Sequence, residues 1–176
     1  VWPEWGCDPL TTFEIGLSNV FHVQFGTVAL VFEGIMFFVF LFVRKDLVHL
    51  GTLAWCFLIG PFENLWLGIL DPILPVASEM SVGLKIVCIL LGSAIIIVTL
   101  AYYIPIGLGY QTSDIFAFIA ADIVKKSYGI GLIISYAILF VIGVALGSSW
   151  GIGTLIAVVA YGPIIDRLMV IFEPFS

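Results

Sequence analysis

Five apolar runs, each close to the roughly 20 residues needed to cross a bilayer, follow one another along this chain: Phe25 to Val43, His49 to Leu70, Leu84 to Tyr103, Tyr128 to Gly147 and Ile152 to Ile171. A segment in hydrocarbon must close its backbone hydrogen bonds within itself, so each run reads as a transmembrane α-helix. The pattern predicts an all-α, polytopic helix bundle. Charged residues make up only 10% of the 176 residues, against roughly 25% in a soluble domain. No length remains for a separate water-soluble module.

Two more polar segments stand apart, Pro9 to His22 and Thr112 to Lys126. Both are too short to span and read as re-entrant or interfacial helices. Asp8 ahead of Pro9 is a candidate N-cap, with proline at the first helical position; Thr112 or Ser113 is the expected cap of the other. On the second short helix Asp114 and Asp122 share a face, with Lys125 in reach of Asp122, and Glu14 and His22 repeat that spacing on the first. Such faces suit either a vestibule at each side of the membrane or helices lying with their polar side in water.

Basic residues set the expected orientation. With Arg44 and Lys45 on the cytoplasmic side, alternation of the spans carries Lys125, Lys126 and Arg167 there too, and the C-terminus with them. Lys85 falls at the outer end of the third span, where its stem can snorkel to the headgroups. Glu4, Asp8, Asp71 and Glu79 then lie outside, with Trp2, Trp5, Trp66 and Trp150 at the outer interface.

Several chemistries are disfavoured. A formal charge of -6 with only six Lys and Arg argues against nucleic acid, which needs clustered cations. Cys7, Cys56 and Cys88 form no Cys-x-x-Cys pair, and His22 and His49 lack partners at metal-ligand spacing, so no metal or cofactor is expected; the cysteines read as small packing residues. Gly-x-Ser-x-Gly, Walker-type loops and His-Glu-x-x-His do not occur. The reading is a protein that is not an enzyme.

The halves of the chain match one another. Gly6, Phe13 and Gly26 correspond to Gly109, Phe116 and Gly129 at an offset of 103 (109 − 6), and Gly51-Thr52 and Gly60-Pro61 to Gly153-Thr154 and Gly162-Pro163 at 102 (153 − 51). Residues 1–70 form a first repeat, 71–83 a linker and 84–176 a second repeat. The second repeat reads as a span, a short helix and two spans, whereas the first starts at its short helix, which predicts one further span before Val1. Three spans per repeat force the copies into opposite orientations, the inverted-topology arrangement of many transporters.

Glycine before a short polar helix, then Gly-x-Gly-Thr, then Gly-Pro followed by Asp, as in Gly109 to Asp114, Gly151 to Thr154 and Gly162 to Asp166, resembles the YczE/YyaS/YitT-type bacterial membrane proteins. Where members of that family carry Pro and Trp ahead of the Asp, this chain has Gln111, Thr112 and Ser113. The resemblance implies architecture and a bacterial plasma membrane, and no substrate.

Glu33 falls near the centre of the first span, where an ionised side chain costs about 2.5–3.5 kcal/mol. It must be protonated, paired or facing water, and is a candidate for coupling to protons or cations. Gly60-Pro61 and Gly162-Pro163 are expected helix breaks that free carbonyls for a ligand, with Glu63, Asn64 and Asp166 just beyond them. The alternative for these polar residues is helix-to-helix contact, or solvation at the inner interface for Asp166 and Arg167. Gly143, Gly147 and Gly151 at spacings of four suit close packing within the chain. The function these features favour is a small-solute transporter with a substrate or ion site at Glu33, Glu63, Asn64, Asp166 and Asp114. A membrane-embedded ligand-binding subunit serving an energised partner, and a non-transporting membrane helper, are the alternatives.

Overall fold

The computed structural model describes residues 5–70, 72–73 and 79–172, so Trp2, Glu4 and Asp71 lie outside the described residues. Seven helices follow in order: α1 (Pro9–Phe21), α2 (Phe25–Val43), α3 (Leu50–Leu70), α4 (Val82–Ile106), α5 (Thr112–Val124), α6 (Tyr128–Ala145) and α7 (Ile152–Phe172). There is no strand among the described residues. Helices α2, α3, α4, α6 and α7 are long and apolar enough to cross a membrane. Large apolar side chains such as Phe42, 89% exposed, and Val170, 70% exposed, point outward, as lipid rather than water demands.

The buried centre is built around α6, which packs against α1, α5 and α7. Leu132, Tyr136 and Tyr128 of α6 join Ala157, Tyr161 and Ile165 of α7 and Leu100, Ala101 and Ile104 of α4 in one core. Small residues let backbones meet: Gly143 of α6 lies against Thr12 and Phe13 of α1, and Gly131 against Ala117 and Ala121 of α5. Gly147 lies beyond the end of α6 with φ +83 and open space beside it, so the spaced glycines are not one continuous stripe.

The two 13-residue helices are about 20 Å long, short of the roughly 30 Å hydrocarbon core. Each runs outward along a spanning helix. Helix α5 follows the second half of α2, with Thr112 at Glu33, Phe116 edge-on to Phe40 at 5.3 Å and Asp122 bound to Arg44 at 2.6 Å. Helix α1 follows the end of α6: Thr12 lies at Gly143, Gly16 at Gly143 and Leu146, and Asn19 Nδ2 donates to Gly147 O at 2.9 Å. Their C-terminal ends thus lie at opposite ends of the bundle, one where α6 gives way to α7 and the other where α2 gives way to α3. Both stop in left-handed residues, His22 at φ 56 and Lys125 at φ 54.

Asp8 caps α1, its Oδ1 accepting from the N–H groups of Leu10 and Thr11 at 3.1 Å each. The expected cap of α5 is corrected. Gln111 holds the N-cap position without a side-chain bond, because the Thr112 hydroxyl is committed to Glu33. The polar faces of the short helices divide: Glu14 and Asp114 are buried, only 3% and 0% exposed, whereas His22 and Asp122 at the other ends are exposed. Asp122 turns to Arg44 rather than to Lys125.

The expected breaks at Gly60-Pro61 and Gly162-Pro163 do not occur: α3 and α7 run unbroken through both prolines. Proline removes one backbone donor, which a helix held by its neighbours tolerates. What the pairs provide is contact. A Cβ on Gly60 would overlap the carbonyl oxygen of Gly26, and one on Gly162 that of Gly129, so α3 crosses α2 and α7 crosses α6 at bare backbone.

Candidate functional site

Glu33 faces inward from the middle of α2 on the stripe that carries Gly26, Ala29, Phe37 and Phe40, and is 1% exposed. Its Oε2 accepts from the Thr112 hydroxyl at the first turn of α5 and from Cys56 Sγ of α3 at 3.4 Å. One carboxyl therefore ties together α2, α3 and the N-terminal end of α5. Its Oε1 has no partner.

Glu33 is part of the wall of a cavity of about 310 Å³. The inner ends of both short helices reach it, through Asp8 and Thr11 of α1 and Gln111 and Ser113 of α5. Glu14 of α1, Glu63 and Trp55 of α3, Thr99 and Tyr103 of α4 and Tyr136 of α6 complete the polar lining, with isoleucines of α3 and α4 between them. Three more residues of this wall each keep one buried polar atom without a partner: Trp55 Nε1, Glu63 Oε2 and Tyr103 OH. The Trp55 indole approaches Glu33 but closes no hydrogen bond with it. A buried polar atom left unpaired costs about 1–3 kcal/mol; four of the five such atoms among the described residues belong to residues of this wall, and the fifth, Asp114 Oδ2, lies away from it.

The other residues expected at a site have different places. Asp166 Oδ1 accepts from the backbone N–H of Gly129 at 2.7 Å, in the first turn of α6, where the N-cap Ser127 makes no side-chain bond. It serves as a capping carboxylate from a neighbouring helix, and it is absent from the cavity wall. Asn64 sits against Gly26 in the first turn of α2. Asp114 is fully buried, with Oδ1 accepting from Tyr128 OH at 2.7 Å and Gln111 Nε2 at 3.2 Å. Of the expected set, Glu33 and Glu63 meet at the cavity, and Asn64, Asp166 and Asp114 do not.

Several residues that shape the site carry little signal in the sequence. Cys56 and Thr112 look like packing and capping residues until α3 and α5 converge on Glu33. Tyr136 has a usable signal, because it stands 103 residues after Glu33 (136 − 33), the offset that relates Gly26 to Gly129. Trp55 and Tyr103 have none beyond being aromatic.

Among the described residues no group of three or more His, Cys, Asp or Glu is placed to hold a metal ion, and the cysteines are free. No curated protein and no solved structure matches the chain. The likeness to the YczE/YyaS/YitT-type proteins therefore rests on the glycine motifs alone. A family profile does match, from residue 3 to residue 170, and on that match the chain belongs to the family of unknown function DUF6198.

Proposed function

We propose that this chain is a small-solute carrier of the bacterial plasma membrane, with the cavity at Glu33 and Glu63 as its binding site between two inverted repeats. The observation that carries the reading is that four residues lining one cavity, Glu33, Trp55, Glu63 and Tyr103, each keep a buried polar atom without a partner, at the level where the two short helices begin. Helix ends of that kind at mid-membrane are where carriers place their solute.

Reciprocal contacts support the repeat. Tyr110 N donates to Thr52 Oγ1 at 2.9 Å, and Cys7 N donates to Thr154 Oγ1 at 3.2 Å. Gly51 N donates to Leu108 O at 2.9 Å, and Gly153 N to Trp5 O at 2.8 Å. The Asp122–Arg44 contact answers the Asn19–Gly147 contact, each residue of one pair standing 103 positions from its counterpart (122 − 19 and 147 − 44). Exchange of partners between halves is the mark of a twofold, since a translation would leave contacts one-way. The short helices emerge at opposite ends of α2, which supports an axis in the membrane plane. Arg44, Lys45, Lys125, Lys126 and Arg167 fall at the end where α2, α5 and α7 finish, which favours that face, and the C-terminus, as cytoplasmic.

Reconstituted vesicles test the carrier reading. Solute flux by the chain alone supports it. Tight binding without flux moves the protein to the class of membrane-embedded binding subunits, and the absence of both moves it to the non-transporting membrane helpers.

A further inference from the structure

We infer that the solute is a small organic cation, a protonated amine or guanidine held between carboxyls and aromatic rings. The inference takes the cavity as the solute site and goes beyond that reading by naming the chemistry it selects.

Charge is the first argument. Asp8, Glu14, Glu33 and Glu63 line the cavity, whereas no Lys, Arg or His among the described residues does. The opposing feature is the pair of helix N-termini at the same place, each equivalent to roughly half a positive charge. Both already have acids of their own. Asp8 accepts from the N–H groups and the hydroxyl of the first turn of α1, and Glu33 and Asp114 flank the start of α5. About one positive charge in all therefore meets as many as four carboxyls in the wall. Glu14 and Glu63 are left over, so a cation is favoured over an anion.

The shape and the free atoms narrow the class. A bare divalent ion needs several oxygens drawn round one point, and no such cluster exists among the described residues. At about 310 Å³ the cavity is at the small end of sites for organic ligands. Glu33 Oε1 and Glu63 Oε2 are acceptors for ammonium N–H groups. The rings of Trp55, Tyr103 and Tyr136 stand in the same wall, and aromatic faces attract cations, more strongly where water is excluded. Trp55 Nε1 and Tyr103 OH can both donate, which favours an amine that also carries an oxygen, as an amino alcohol does.

The test uses the whole chain in lipid nanodiscs with ethanolamine, choline and guanidinium as chlorides, against acetate and ethylene glycol as anionic and neutral solutes of similar size. Cation binding is expected in the millimolar range or tighter by calorimetry, with acetate and ethylene glycol silent. Glu63→Gln should weaken ethanolamine binding about tenfold or more, since one charge-assisted hydrogen bond becomes neutral. Tyr103→Phe keeps the ring and loses one hydroxyl, so it reports even if Glu63→Gln fails to fold; it should weaken ethanolamine more than guanidinium. Binding of acetate or ethylene glycol in preference to the cations, or no cation binding in that range, overturns the proposal. Flux separates the two readings: cation binding without vesicle uptake keeps the cation site and removes the carrier, whereas uptake of a neutral solute with no cation response does the reverse.

Discussion

Placing one methyl group at the crossing of α3 and α2 should damage this protein more than placing it almost anywhere else on the same helices. A Cβ added to Gly60 would overlap Gly26 O and stand 3.0 Å from both Leu30 Cβ and Leu30 N; one on Gly162 would overlap Gly129 O and stand 2.9 Å from Gly129 C. These obstacles are mostly backbone, which cannot rotate aside, so Gly60→Ala or Gly162→Ala must push two helices apart. Overpacking of this kind costs about 1–3 kcal/mol, and a backbone obstacle belongs at the upper end. Replacing glycine by alanine inside a helix returns about 0.5–1 kcal/mol, which leaves a net loss of about 2 kcal/mol. Gly68 and Gly92 have nothing within 4 Å of an added methyl, so Gly68→Ala and Gly92→Ala keep only the gain. The two classes should differ by about 2–3 kcal/mol, or roughly 4–12 °C in Tm for a domain of this size. Tryptophan fluorescence during thermal unfolding in one detergent would read this. Equal melting of Gly60→Ala, Gly162→Ala and Gly92→Ala would refute the bare-backbone crossings.

Three further outcomes follow from single contacts. Glu33→Gln keeps the shape of the side chain and should leave a folded protein that has lost pH-driven solute uptake; unchanged uptake takes Glu33 out of the coupling step. Thr154→Val orphans the backbone donor Cys7 N, and Thr52→Val orphans Tyr110 N together with the longer contact from His49 N at 3.4 Å, so chemical denaturation should show a loss of about 1–3 kcal/mol for each, the Thr52 loss being no smaller; a negligible loss for either would break the proposed equivalence. The Arg44 guanidinium holds the exposed Asp46 carboxyl below its ordinary range. A lowered carboxyl contributes stability above its unfolded pKa and loses it as pH falls through the folded one. The small, salt-sensitive difference between wild type and Arg44→Gln should therefore shrink only in acid, and a difference that grows as pH falls would contradict the pairing.

The spans are legible in the sequence because hydrocarbon imposes one rule on every residue of a segment: the apolar run Phe25–Val43 coincides with α2, and the other runs match their helices to within a few residues. Asp8 as a cap is legible for the same local reason, since its bonds go to Leu10 and Thr11. For Thr112, local chemistry is the wrong scale: its hydroxyl serves Glu33, 79 residues away. The Gly-Pro pairs show how a correct signal can carry a wrong mechanism. Their matched spacing marks places of special backbone geometry, but the glycine is the operative half, giving α3 and α7 a bare surface at Gly26 and Gly129, while the proline is absorbed by an unbroken helix. That explains the fate of the polar residues just beyond. Asn64 and Asp166 are one turn past the crossing and so meet the first turns of α2 and α6, where free N–H groups need acceptors. Glu63, one residue earlier than Asn64, is rotated by about 100° on the helix and reaches the cavity instead. Its counterpart in the second half is Ile165 (165 − 63 = 102), fully buried in the core. The α2–α3 and α6–α7 crossings are alike in their bare backbone but not in the side chains beside them: every carboxyl of the cavity wall comes from α1, α2, α3 or the cap of α1, and the later helices supply only uncharged polar groups.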